Sequence, residues 1–396
     1  MTVSYLRRVA EVDQLYQAWS HISDATKSLH RHTAGIDGQS VNQFAGKADH
    51  YLNLIRGTLL SKSGYQFSVL KAHLEPKNGG GDRVICIPTV KDRIVQRSIL
   101  DVLSSTTKYS FESDASFGFI KGRSVRQAIQ KSLDLRRSRR WAYKTDISKF
   151  FDTLNRSRVR NEVRKRIRIP SLYNLIVRAT CCEVKARDRR QQKRIHKAGI
   201  RAGTGLRQGM PISPYLANLF LWEFDHAALA RDFAMVRYAD DLIFFADCKA
   251  DCDEIHRFCD DKLRSIGLSI DPIGKGKTFI AEPDESVEFL GISIDASNSE
   301  YVANVPKMKI DNCRSELASL GDLGVLLERK LTISTLMQKL SGKVTGWTEA
   351  YRFCANAEQL QHALLASRKK AIESIFINGL GMTTLTAKQR QFLEIE

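Results

Sequence analysis

The sequence lacks any apolar run approaching the roughly 18 residues that a membrane span requires. Its start, MTVSYLRRVAEVDQLYQAW, turns charged and polar before a signal-peptide core could form. A soluble cytoplasmic protein with no membrane partner is expected. Proline is scarce (8) and glycine modest (24) among 396 residues, while 43% are hydrophobic; collagen-like, low-complexity and disordered chains are excluded. Eight cysteines include no C-x-x-C pair, so reduced thiols are expected rather than a zinc site or a disulfide framework. Acid is scarce in one long stretch. Of a formal charge of +18, residues 121–197 carry 25 Lys and Arg against six acids (Asp134, Asp146, Asp152, Glu162, Glu183, Asp188), a net of +19 that leaves the remainder at −1. Solvated helix faces usually mix signs, so a one-signed block of this size points to a polyanion, and nucleic acid is the usual one.

Residues 1–30 repeat apolar side chains at helical spacing (Val9, Val12, Leu15, Trp19, Ile22), and a turn-rich Ala34-Gly35-Ile36-Asp37-Gly38 leads to a second helical stretch ending near Leu60. Two strands are predicted over 65–76 and 83–88, joined across Asn78-Gly79-Gly80-Gly81. Helices are predicted over 91–103, 124–137, 155–168, 171–181, 213–228 and 249–266. Strands are predicted at 142–147, within 235–246, and near 268–271, 277–280 and 287–294, with helix from about 305 to the end. The mixture predicts an α+β body with a helical C-terminal domain.

The sharpest anomaly is Tyr238-Ala239-Asp240-Asp241 inside an apolar hairpin, between Val236 and Leu242-Ile243-Phe244-Phe245. An Asp-containing turn is the ordinary explanation, but two carboxylates in such surroundings are costly without a cation. Asp146 ends a second apolar strand, AYKTDI. One carboxylate from one strand and a pair from a hairpin suit two Mg²⁺ ions, the arrangement of a nucleotide polymerase.

These motifs, in this order, resemble the reverse transcriptases, and most closely the group II intron-like lineage with its retron and defence-associated members. AGIDG (34–38), EPKNGGGDRVICIPTVKDRIVQRSIL (75–100), SFGFIKGRSVRQAI (116–129), KTDISKFFDTL (144–154), GLRQGMPISPYLANLFL (205–221), VRYADDLIFFA (236–246), GLSIDPIGKGKTFI (267–280) and VEFLGISI (287–294) carry the resemblance; SGKVTGWTEAYRF (341–353) extends it more weakly. It implies a right-hand polymerase: fingers with an N-terminal extension over 1–140, palm over 141–300, and helical thumb over 301–396. It implies that Asp146, Asp240 and Asp241, with the Ile147 carbonyl, hold two Mg²⁺ (Mn²⁺ able to substitute). Lys77 and Arg83 would grip the triphosphate. Phe151 would exclude a 2′-hydroxyl, unless it is simply a core ring after a strand. Gln208 would pack on the nascent base pair, either Lys275 or Lys277 would protonate the pyrophosphate, and Phe289, Leu290 and Gly291 would form the primer grip. The family's proline before Gln208 is replaced by Arg207, which is expected to bring a charge near template or nucleotide.

The resemblance implies RNA-directed DNA synthesis from dNTPs, yielding cDNA. The compact length and the basic block point further to a dedicated structured non-coding RNA and a bacterial antiphage role. Arg136, Arg137, Arg139, Arg140, Arg189, Arg190, Lys193 and Arg194 are the expected RNA-binding residues. Two other readings stand beside this one: a maturase-like RNA-binding cofactor, and an abortive-infection polymerase that adds untemplated DNA.

Overall fold

The computed structural model describes residues 4–76, 80–298, 300–328 and 330–393. The N-terminal periodicity becomes the helices Tyr5–Val9 and Val12–Ala25, which bury Val9, Leu15, Ala18, Trp19 and Ile22. The second helical stretch divides into Val41–Ala45, opened by a Ser40–Gln43 capping box, and Ala48–Leu60.

The described residues form ten strands: β1 Leu70–Pro76, β2 Asp82–Ile87, β3 Trp141–Asp146, β4 Val184–Lys185, β5 Ala234–Tyr238, β6 Asp241–Ala246, β7 Phe279–Ala281, β8 Val287–Phe289, β9 Ile292–Ser297 and β10 Glu300–Asn304. They form sheets of order β2-β1-β4, β5-β6-β3-β7 and β10-β9-β8. The hairpin β1–β2 is antiparallel with Glu75 opposite Arg83, and β4 joins β1 in parallel through Leu70↔Val184. β3 pairs antiparallel with β7, as β9 does with β8 and β10.

Several boundaries differ from those expected, each for a tertiary reason. β1 begins at Leu70 rather than Tyr65 because the buried Asp92 captures the preceding segment: Tyr65 Oη donates to it at 2.8 Å and the Ser68 amide at 3.2 Å. The strand expected at 268–271 is reduced to a single bridge, Ile147↔Ile270. Arg189–Lys197 is a helix capped by Asp188, which accepts from the Gln191 amide at 2.8 Å; it buries only Ile195, so apolar periodicity had nothing to report. β10 precedes the C-terminal helices.

The chain folds as two interleaved compact units. One comprises Met1–Arg123, Thr145–Leu242 and Glu254–Thr278; the other comprises Ser124–Lys144, Ile243–Asp253 and Phe279–Glu396. The first unit has its core under the helices Val90–Ser104 and Ser213–Leu229, with Ile94, Ile99, Leu216, Leu219 and Leu221 buried. The second contains the β8–β10 meander and the helices Lys307–Ser319, Ile333–Tyr351 and Ala357–Ser374, packed through Leu317, Leu340, Leu360 and Leu364. The architecture is α+β with a helical C-terminal region, as expected. No helix among the described residues is long and apolar enough to cross a membrane.

Candidate active site

The strands β5 and β6 bury Val236, Arg237 and Leu242–Phe245; Asp240 lies in the turn that connects them and Asp241 opens β6. Ala239 takes a left-handed conformation there (φ 59°), tight enough to set Asp240 and Asp241 side by side. The end of β3 meets this turn through the Ile147 amide, which donates to the Asp240 carbonyl at 2.9 Å. Asp146 is the residue before Ile147, so one backbone bond joins all three carboxylate-bearing positions.

Their electrostatics agree. Burial pushes the Asp240 carboxyl above its ordinary value, and the charges of Asp146 and Asp241 push it further. Lys277 Nζ lies 3.1 Å from Asp146 Oδ1. Burial pulls the Lys277 ammonium down, but the hydrogen bond to Asp146 and the fields of Asp241 and Asp240 outweigh it, and the net shift is upward. A hydroxyl contact of 2.7 Å between Thr145 and Thr278 braces the same junction. Of the two lysines left open by the sequence, Lys277 is the one brought to the carboxylates; Lys275 sits in the turn bridged to Thr278. Among the described residues no three His, Cys, Asp or Glu side chains already converge as a closed metal site. The donor set nevertheless fits a hard divalent cation: the carboxylates are oxygen ligands, and Asp146 already attracts a lysine ammonium.

The support beneath the turn was not anticipated. Arg237 and Asp225 are both fully buried, and the guanidinium grips the carboxylate with Nε at 2.7 Å and Nη2 at 2.5 Å. Arg237 Nη1 donates to Asn218 Oδ1 at 3.0 Å and to the Ala239 carbonyl at 3.1 Å, while Ser113 Oγ donates to Asp225 at 3.0 Å. A charged residue in the apolar pattern of β5 was the available signal; its partner lies on the helix Ser213–Leu229 and could not be read from spacing.

The turn Gln208-Gly209 packs on β2. The Cys86 amide donates to the Gln208 carbonyl at 2.8 Å, and a Cβ at Gly209 (φ 102°) would fall 2.2 Å from the Cys86 carbonyl oxygen. The preceding loop reaches the short helix Phe150–Thr153 through the Leu206 amide and the Phe151 carbonyl at 2.8 Å. Phe150 is buried and Phe151 half-buried; the core ring of this pair is therefore Phe150. Arg83 is exposed on β2, and Lys77 lies outside the described residues. Arg207 departs from the expectation: it is buried, with Nη2 2.8 Å from Glu183 Oε2, and Arg156 holds the other oxygen at 2.6 Å. Its charge is neutralised inside the protein rather than directed at a template.

Phe289 ends β8 and is fully buried, and Leu290 and Gly291 form the β8–β9 turn, both at positive φ and half-buried. The expected RNA-binding residues divide. Arg136 is a correction: it is fully buried, Nη1 donates to the Ile294 carbonyl at 2.9 Å, Nη2 to those of Glu282 (3.1 Å) and Glu285 (2.5 Å), and its guanidinium lies 4.5 Å from the Tyr301 ring centre. It is a structural cation with no face left for phosphate. Arg137 pairs with Asp134 and Glu300, Arg140 pairs with Asp284 and Tyr301, and Arg139 is engaged within the protein. Arg194 is tied to Asp82 at 2.6 and 2.8 Å. Arg189, Arg190 and Lys193 project from the same helix, exposed, with no side-chain ion pair among the described residues.

Residues 75–294 match the reverse transcriptase (RNA-dependent DNA polymerase) family. The chain is 27% identical over 363 residues to protein YkfC of Escherichia coli, covering 80% of this chain and 90% of that protein. It is also 27% identical over 195 residues to the group II intron-encoded protein LtrA of Lactococcus lactis, covering 46% of this chain and 29% of LtrA. Among solved structures, a telomerase from Candida albicans in complex with a fragment of telomeric RNA matches at a TM-score of 0.45 and 13% identity, over 90% of this chain and 68% of that one. With the family matched across more than half its length, from the β1–β2 hairpin through the Asp240-Asp241 turn to β9, the chain belongs to the reverse transcriptases, the RNA-directed DNA polymerases.

Proposed function

We propose that this chain copies a structured non-coding RNA into cDNA by two-metal nucleotidyl transfer, in the service of bacterial antiphage defence. The observation that carries the chemistry is the junction of Ile147 with Asp240 at 2.9 Å, which gathers Asp146, Asp240 and Asp241 into one electrostatically coupled set. These carboxylates and the Ile147 carbonyl would hold two Mg²⁺ ions, with Mn²⁺ able to substitute. Bound there, the ions would favour the 3′-alkoxide and neutralise the leaving pyrophosphate.

The chain's own residues do the rest. Arg83, exposed on β2, and Lys77 hold the triphosphate; Gln208, pinned by Cys86, backs the nascent pair; Phe151 bounds the sugar. Lys277, kept protonated by its acidic neighbours, is the candidate that gives a proton to the departing pyrophosphate. The Leu290-Gly291 turn faces the primer. In this reading fingers, palm and thumb span 1–140, 141–300 and 301–396. The partner RNA is held through phosphates by Arg189, Arg190 and Lys193.

Extension of a DNA primer on an RNA template with Mg²⁺ and dNTPs tests the chemistry. Incorporation by the wild type that disappears in Asp240→Asn and Asp241→Asn, with RNA still bound, is the expected result. Equal rates in all three proteins would refute the assignment. Sequencing the nucleic acid that co-purifies tests the partner: one dominant RNA with matching cDNA supports a dedicated template, and a random RNA population refutes it.

A further inference from the structure

Phe119 is exposed over 54% of its surface and adopts φ 61°. A bulky side chain gains nothing from either circumstance: the left-handed region crowds its Cβ, and the ring stays in water. Such an outlier persists only where its surroundings over-determine the backbone, and here they do. The Phe117 amide donates to the Arg237 carbonyl at 2.8 Å, and the Gly118 carbonyl accepts from Asn218 Nδ2 at 3.0 Å. Arg123 clamps the carbonyls of Ser113 and Ser116. A Cβ on Gly118 would fall 2.4 Å from the Ala239 nitrogen, so this segment lies directly against the catalytic turn.

The buried Arg237 that holds the Ala239 carbonyl, and the Asn218 bonded to it, therefore also fix the backbone that presents Phe119. Its ring meets Phe151 edge to face, with centroids 6.3 Å apart and planes at 78°. Phe151 also meets Phe150 edge to face, with centroids 5.2 Å apart and planes at 60°. Of the three rings Phe150 is buried, Phe151 half-buried and Phe119 exposed.

We infer that Phe119 is a specificity-determining residue acting through Phe151: it stops the Phe151 ring from swinging aside when a nucleotide carrying a 2′-hydroxyl enters. This rests on the reading of Phe151 as the sugar gate. A gate ring held by Phe150 alone could rotate about its side-chain torsions to admit the extra oxygen. Held by Phe119 as well, it has fewer directions in which to move. Phe119 thus contributes to choice of sugar without contacting the reacting atoms.

The experiment compares single-nucleotide incorporation of a dNTP and its rNTP by the full chain, reading kcat and KM separately, in Phe119→Gly, Phe119→Asn and Phe151→Ala. Gly and Asn tolerate positive φ, so both Phe119 variants relieve the backbone and should melt at or above the wild-type temperature. Discrimination against the rNTP, as the ratio of kcat/KM values, should fall roughly tenfold in each, a size typical of steric exclusion of one small group. The change should lie mainly in KM for the rNTP, with kcat for the dNTP nearly unaltered. If Phe151→Ala relaxes discrimination while both Phe119 variants keep it, Phe119 plays no part and the inference is overturned. If Phe151→Ala itself leaves discrimination intact, the gate reading falls and the inference falls with it.

Discussion

Removing Arg237 should separate the stability of the turn at Ala239-Asp240 from its alignment. Both members of the Arg237–Asp225 pair are fully buried, so solvent screening does not reduce their interaction. In Arg237→Met, Asp225 keeps only the Ser113 hydroxyl at 3.0 Å, and the Ala239 carbonyl loses its donor. Breaking a buried pair from one side costs about 3–5 kcal/mol, a fall of roughly 6–12 °C in melting temperature for a large domain. The double variant Arg237→Met/Asp225→Leu removes both charges and should recover most of that stability, to within about 1 kcal/mol, because apolar replacement of a buried pair is often neutral. It restores no donor to Ala239, so primer extension should remain depressed in the double variant, in kcat rather than KM. Thermal melting and steady-state extension on the same preparations are the assays. A wild-type melting temperature in the single variant would refute the energetic argument. Recovery of kcat along with stability in the double variant would show that the pair is structural only and does not align the turn.

The remaining predictions address the carboxylates and the cations. Asp240 has a raised carboxyl in the fold, so its contribution is present below the ordinary carboxylate range and lost as pH rises through the raised value. Asp240→Asn should therefore melt higher than wild type at neutral pH without metal, and Mg²⁺ should stabilise the wild type more than this variant; a metal response of equal size in both would count against Asp240 as a ligand. Arg189→Gln/Arg190→Gln/Lys193→Gln should reduce the log–log salt slope of RNA binding by about 2–3, at roughly 0.7–0.9 per phosphate, while extension of a simple primed oligonucleotide changes little; an unchanged slope would mean that this helix face is merely solvated. Arg136→Gln should leave that slope alone and lower the melting temperature, since it strands the carbonyls of Ile294, Glu282 and Glu285; a weakened RNA affinity at wild-type stability would reverse this.

Where an element carries its own apolar period, its residues were legible one by one. Val125–Ser138, Ser213–Leu229 and Lys249–Ser265 begin and end within about two residues of their expected limits. The carboxylates at 146, 240 and 241 were conspicuous for the opposite reason, since charge inside apolar strands has no local justification. Elements without a period of their own, such as the helix Arg189–Lys197 and the two-residue β4, escaped notice.

Charge was the property that sequence alone ranked worst. Counting arginines between 121 and 197 showed that cations exceed acids there, and that imbalance belongs to the sequence wherever the chain goes. It could not show that Arg136 caps three carbonyls, that Arg207 and Arg156 share Glu183, or that Arg194 is claimed by Asp82, because each partner arrives from a distant segment. Hydrophobic period and the order of motifs are local quantities, and from them the amino-acid sequence by itself determined the α+β class and the family, and singled out the three carboxylates as candidates. Which cations stay exposed, which lysine meets Asp146, and what props the turn at Ala239 were decided only by tertiary structure. A buried charge is worth what its partner makes it, and the partner is chosen by the fold.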